Sequence, residues 1–208
     1  MSILEKYETF IFDLDDTLFD QRDFLAQSIR IFLSQEYPTN SAEQITDLMN
    51  LYFAEYQNSG PHQIIQRISK VTGIELNSTK FIEILNNQKI QRRLTLDQGM
   101  KRVLKVLRKL DKEIWICTNG SRTQQAIKIS LLKKDFDFTQ NIIFAIDSEL
   151  KPSGESLDLA FPSAESKSKA VMVGDSLSDQ IAANSAQIDF LFKWVFSDLI
   201  LREIGFEE

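Results

Sequence analysis

One cysteine and one histidine stand in 208 residues, and no apolar run is long enough to span a membrane. Each scarcity excludes something. The lone Cys117 cannot form an internal disulfide and lies in a strand-like apolar run, so no disulfide framework holds the fold and a reducing, cytoplasmic setting is expected. With no second histidine in the chain, His62 is not read as a metal ligand. Glu5, Lys6 and Glu8 precede the first apolar run, a pattern unlike a secretory leader, and no membrane partner is expected. Acidic residues outnumber basic ones by 30 to 24 and no basic cluster stands out, which argues against a nucleic-acid polymer as partner. Repeats, low-complexity segments and long linkers are lacking. The hydrophobic fraction of 43% excludes a disordered chain, and the length suits one domain or a core domain carrying an insertion.

Short strand-like runs alternate with helical segments at both ends of the chain. Tyr7–Asp13, Ile114–Cys117, Asn141–Ile146, Ala170–Val173 and Asp189–Phe192 read as strands. Helices are predicted between them, from Met100 to Leu110, from Ser121 to about Lys133 and from Asp179 to Ala186. Such alternation predicts right-handed βαβ crossovers and a parallel sheet. The middle of the chain reads as helix only. Leu25, Ile29, Phe32 and Leu33 share one helical face, and Ser41 with Gln44 forms a capping-box pattern ahead of Ile45, Leu48, Met49, Tyr52, Phe53 and Tyr56. Asn58-Ser59-Gly60 reads as a turn, Pro61 to Gly73 as a third helix and Thr79–Lys89 as a fourth. Residues 21–93 are therefore expected to form an all-helical insertion, and residues 1–20 with 94–208 an α/β core.

Four polar segments punctuate this pattern: Asp13-Leu-Asp15-Asp16-Thr17, Thr118-Asn119-Gly120, Lys151-Pro152 and Gly174-Asp175-Ser-Leu-Ser-Asp179. Three of them directly follow a strand-like run, so they belong at the carboxyl edge of the sheet, where open α/β folds bind ligands. Several carboxylates, a lysine and a threonine hydroxyl suit a divalent cation and a phosphate.

In order and context these segments resemble the haloacid dehalogenase superfamily of phosphohydrolases, over nearly the whole chain. The resemblance implies a Rossmann-like core with a helical cap inserted after the first strand. It implies that Asp13 attacks phosphorus to form an aspartyl-phosphate, while Asp15 protonates the leaving alcohol and then deprotonates the hydrolytic water. Dehalogenase members lack an aspartate at the Asp15 position, so phosphate chemistry is expected here. Thr118, the Asn119 backbone N–H and Lys151 are the implied phosphate contacts, with Gly120 allowing the tight turn. Asp13, Asp15 (through its main-chain carbonyl), Asp175 and Asp179 are the implied metal set, and Mg²⁺ suits their all-oxygen donors. Asp16 carries no expected role, and Thr17 is expected to support the turn. Many relatives have glycine where Gln187 stands, and the stretch from Lys151 to Asp175 is short.

The expected activity is a Mg²⁺-dependent phosphatase acting on a small soluble phosphomonoester, either a nucleoside monophosphate or a sugar phosphate. A phosphomutase would use the same Asp13 and Asp15, so the motifs leave that alternative open. A receiver-like phosphoacceptor domain and a catalytically silent regulator are further alternatives. Within the insertion, Asn58 and His62, near the turn between two helices, are the candidate specificity residues.

Overall fold

The computed structural model describes residues 2–38, 41–60, 63–89, 92–137, 141–203 and 205. In chain order the elements are α1 (Ile3–Lys6), β1 (Thr9–Phe12), α2 (Gln21–Glu36), α3 (Ala42–Ser59), α4 (Ile64–Thr72), α5 (Ser78–Leu85), α6 (Gln98–Lys109) and β2 (Glu113–Thr118). There follow α7 (Arg122–Leu132), β3 (Ile142–Phe144), α8 (Glu155–Ala160), α9 (Ala164–Ser168), β4 (Ala170–Gly174), α10 (Leu177–Ser185), β5 (Asp189–Phe192) and α11 (Lys193–Glu203). Among the described residues, no helix is long and apolar enough to cross a membrane.

The strands pair in parallel, in the order β3-β2-β1-β4-β5, giving the predicted Rossmann-like α/β sheet. β1 is central and buried on both faces, which is why Phe10, Ile11 and Phe12 are all apolar. On one face Ile11 packs with Met172, Leu157 and the small residues Ala182, Ala183 and Ala186 of the α10 region. Phe10 and Phe12 point the other way, with ring centroids 5.8 and 5.7 Å from Phe196 of α11. Phe12 is in register with Ile116 of β2 and Val173 of β4. Asp13 therefore emerges from the sheet beside Cys117 and Gly174, and its N–H still donates to Val173 O at 2.9 Å.

The chain divides into two compact units, Met1–Gln21 with Leu94–Glu208, and Arg22–Arg93. The second is helical. Its interior is aromatic: Tyr52 and Phe32 lie 5.8 and 5.4 Å from Phe81, ring centre to ring centre. Tyr52 is buried, as the helical periodicity of its segment predicts. Arg92 is also buried there. Its guanidinium donates to Ser28 Oγ at 3.0 Å and to the carbonyls of Ile84 and Asn87, satisfying the C-terminal end of α5.

Several expected boundaries shift. Asn58 and Ser59 are the last residues of α3 and not a turn; Gly60, at φ 68°, is the residue that stops the helix. Pro61 and His62 lie outside the described residues, and α4 starts at Ile64. α5 ends at Leu85, short of Lys89. The run from Asn141 to Ile146 is a strand only as far as Phe144 and then closes into a 3₁₀ turn. α10 begins at Leu177, because Ser176 is its N-cap and forms a reciprocal capping box with Asp179. The short stretch between Lys151 and Asp175 is filled by α8, α9 and β4. Gln187 has φ 58°. It is the left-handed residue of a Schellman motif, with Ile188 N donating to Ala183 O and Gln187 N to Asn184 O. This is a conformation that glycine adopts without steric cost.

Candidate active site

Lys151 is the hub of the site. Its side chain is 2% exposed, and its Nζ donates to Asp13 Oδ1 at 2.5 Å, Asp179 Oδ1 at 2.6 Å and Cys117 O at 2.9 Å. Three acceptors match the three protons of an ammonium group. Its backbone is held as firmly as its head. Asn119 donates through Nδ2 to Lys151 O and accepts through Oδ1 from Lys151 N, both at 2.9 Å. The turn after β2 is thus clamped to the segment that carries the lysine.

Asp179 reaches Lys151 because α10 starts at the edge of β4. Its other oxygen, Oδ2, accepts from Ser176 Oγ at 2.6 Å and Ser176 N at 3.1 Å, so the helix cap fixes the carboxylate's orientation. Asp175 accepts at 3.2 Å from Thr17 Oγ1, a buried hydroxyl that ties the loop after β1 to the loop after β4. One carboxylate oxygen from each of Asp13, Asp175 and Asp179 lies within 4.8 Å of the other two, a donor set that fits one divalent cation.

The electrostatics follow from this crowding. Burial, aided by the charges of Asp179 and Asp15 and opposed by Lys151, pushes Asp13 up to about 7. Burial also raises Asp175, with Asp179 and Asp16 adding. Lys151 loses stability as a cation through burial, but Asp13 and Asp179 outweigh that loss and hold it above the usual lysine range.

Asp15 stands apart from the other three carboxylates. Lys128 of α7 donates to both of its oxygens at 2.8 Å, and Gln125 Nε2 donates to Oδ2 at 2.9 Å. Asp16 is half-buried, with φ 57°; its carboxylate caps α2 by accepting from Gln21 N at 2.9 Å, and its carbonyl accepts from Lys193 Nζ. Asp16, to which the sequence assigned no role, shapes the loop after Asp15. Asp13, Asp15, Thr118, Asn119, Lys151, Asp175 and Asp179 all line one cleft of about 210 Å³. That is enough for a phosphate group but below the size of pockets that enclose a whole organic ligand. Asn58 is an exposed residue of the helical unit, and His62 lies outside the described residues.

Sequence reasoning missed Lys128 and Gln125. A signal was there: Lys128 interrupts the apolar run Ala126-Ile127-Lys128-Ile129, and Gln125 precedes it by three, on the same helical face.

The profile of haloacid dehalogenase-like hydrolases matches residues 10–193. The chain belongs to that family. Among solved haloacid dehalogenase-like structures it is similar to the putative hydrolase YfnB from Bacillus subtilis, bound to magnesium. That likeness has a TM-score of 0.63 and 18% identity, over 89% of this chain and 86% of the other. A putative beta-phosphoglucomutase from Thermotoga maritima gives 0.62 and 15%, over 95% and 99%. The defluorinating L-2-haloacid dehalogenase Rha0230 gives 0.61 and 15%, over 89% and 80%. These likenesses establish the fold. Among curated proteins nothing matches the chain.

Proposed function

We propose that this haloacid dehalogenase-like hydrolase is a Mg²⁺-dependent phosphatase of small phosphomonoesters. The observation that carries the reading is the pairing of two differently supported aspartates at one cleft, Asp13 on Lys151 and Asp15 on Lys128. A nucleophile and a proton carrier two residues apart are what a two-step phosphoryl transfer requires. Asp13 attacks phosphorus as the bond to the leaving oxygen breaks, and that oxygen takes a proton from Asp15. Water then attacks the aspartyl-phosphate, its proton returns to Asp15, and the bond between Asp13 and phosphorus breaks to release phosphate. Lys151 and the Thr118 hydroxyl neutralise and orient the phosphoryl oxygens.

Asp13, Asp175 and Asp179, with the Asp15 carbonyl, would hold Mg²⁺, which supplies positive charge that favours ionised Asp13 and the phosphate beside it. The helical unit, Arg22–Arg93, is proposed as the cap that selects the leaving group, a nucleoside or a sugar, with Asn58 and His62 as contacts. A phosphomutase shares every core residue in this scheme, and the product separates the two.

The test is phosphate release by purified protein with Mg²⁺ against nucleotides, sugar phosphates and p-nitrophenyl phosphate, with and without chelator. Metal-dependent release of free phosphate is expected, with Asp13→Asn at least about 10³-fold slower. No release from any ester, or an unimpaired Asp13→Asn, would overturn the reading. Turnover only with a bisphosphate activator would replace it with the mutase.

A further inference from the structure

Lys128 is buried in α7, at 2% exposure, deeper than its neighbours Ile127 and Ile129. A charge in that place does not serve the packing. Withdrawing an ammonium from water can cost more than its attraction to a carboxylate returns, and apolar residues of similar size are often as stable or more so. What the lysine does is visible in its geometry. It contacts both oxygens of Asp15 at 2.8 Å, and Gln125, one turn earlier on the same helix, contacts Oδ2 at 2.9 Å. Three charge-assisted bonds on one carboxylate leave it little rotational freedom.

The same glutamine reaches further. Gln125 Nε2 also donates to the carbonyl of Asn119, in the turn that follows β2. A Cβ on Gly120 would approach that Nε2 to 3.0 Å, so the turn and the glutamine are packed against each other. Through Gln125 and Lys128, α7 joins the loop beside the phosphate cleft to the carboxylate of Asp15.

We infer that Lys128 is the positioning residue for Asp15, holding its carboxylate where it exchanges a proton with the leaving oxygen and then with water, and that Gln125 ties this placement to the Thr118-Asn119-Gly120 turn. The inference rests on the phosphatase reading above. Lys151 serves the nucleophile and Lys128 the proton carrier, so the two lysines divide the labour of one acidic site.

Loss of positioning has a signature that loss of fold lacks. An alkyl phosphate needs its leaving oxygen protonated, whereas p-nitrophenolate leaves without help. The experiment compares Lys128→Met, Lys128→Arg and Gln125→Leu with wild type on an alkyl phosphate and on p-nitrophenyl phosphate, after thermal melts and circular dichroism establish which variants fold. Lys128→Met is expected to lower kcat for the alkyl ester by about 100-fold or more, with KM changed less than about threefold. Formation of phosphoenzyme from p-nitrophenyl phosphate should slow by less than about tenfold, and the phosphoenzyme should accumulate because its hydrolysis also needs Asp15. Lys128→Arg should recover much of the alkyl rate, and Gln125→Leu should show the same bias in weaker form. Should Lys128→Met not fold, Gln125→Leu decides. A folded variant in which phosphoenzyme formation is slowed equally from both esters, or from neither, overturns the inference. Asp13→Asn run alongside separates the failures: an active Asp13→Asn removes the phosphatase reading, while an inactive one beside an unbiased Lys128→Met removes only the role of Lys128.

Discussion

Gly174 and Asp179 touch: a methyl group on Gly174 would lie 2.6 Å from Asp179 Cβ and 2.6 Å from its Oδ2. The glycine at the end of β4 is there for space, because its backbone is not in the left-handed region. Asp179 folds back over that bare backbone to reach Lys151.

Gly174→Ala should therefore push Asp179 off Lys151. Overpacking of this kind costs about 1–3 kcal/mol, and a displaced Asp179 releases the lysine that orients Asp13. Turnover is expected to fall about 100-fold, the scale of a 1 Å misplacement in an active site. Thermal melts and phosphate-release rates check both effects. An alanine variant with unchanged melting and rate would mean that the backbone absorbs the methyl group without moving Asp179.

How much of this site was legible follows from where its residues sit. Asp13, Thr118 and Asp175 follow apolar strand runs, so the strand ends could be read and the sheet edge inferred from them. Lys151 needed the order of the motifs, since a lysine before a proline has no local signature. Lys128 was hidden because helical periodicity assigns a face to each residue without telling a buried cation from an exposed one. α11 went unforeseen for a different reason. It follows β5 without an intervening residue, so no capping residue or turn announces it. Asn58 and Ser59 were misread because both favour turns in isolation, while here the helix runs on to the glycine that can adopt a positive φ.

Asp135 lies just after α7 and ties it to the start of α6: it accepts from Lys101 Nζ and, at 3.0 Å, from Leu96 N. The hydrogen bond from Lys101 is the main cause that holds its carboxyl below the ordinary aspartate range. A carboxyl lowered on folding adds stability above its unfolded value, about 3.9, and that contribution is lost as pH falls through the folded value. Asp135→Asn should thus cost about 1 kcal/mol at neutral pH and nothing once the native carboxyl is itself protonated. Urea melts across the acid range measure the difference; a gap that persists at the lowest pH would assign the loss to packing.

Gln187 occupies a left-handed conformation that costs a residue with a Cβ about 1–2 kcal/mol. Gln187→Gly relieves that strain and gives back part of it as entropy of the unfolded chain. A net gain of up to about 1 kcal/mol is expected, seen as a melting point raised by about 2–4 °C in a chain of this size, with activity unchanged. A lower melting point would show that the glutamine side chain makes a contact worth more than the strain.

The central place of β1 governs the order in which this chain can become a protein. Thr9 pairs with Glu113 and Ala170, residues roughly 100 and 160 positions downstream. At ribosomal speeds of about 5–20 residues per second, the segment Phe10-Ile11-Phe12 waits for about ten seconds or more before its second neighbour exists. Meanwhile the helical unit, contiguous from Arg22 to Arg93, is already complete. Three consecutive apolar residues with both edges unpaired are a sticky signal for that interval. Nascent chains stalled before Ala170 should accordingly bind chaperones through the very strand that later holds Asp13 at the cleft.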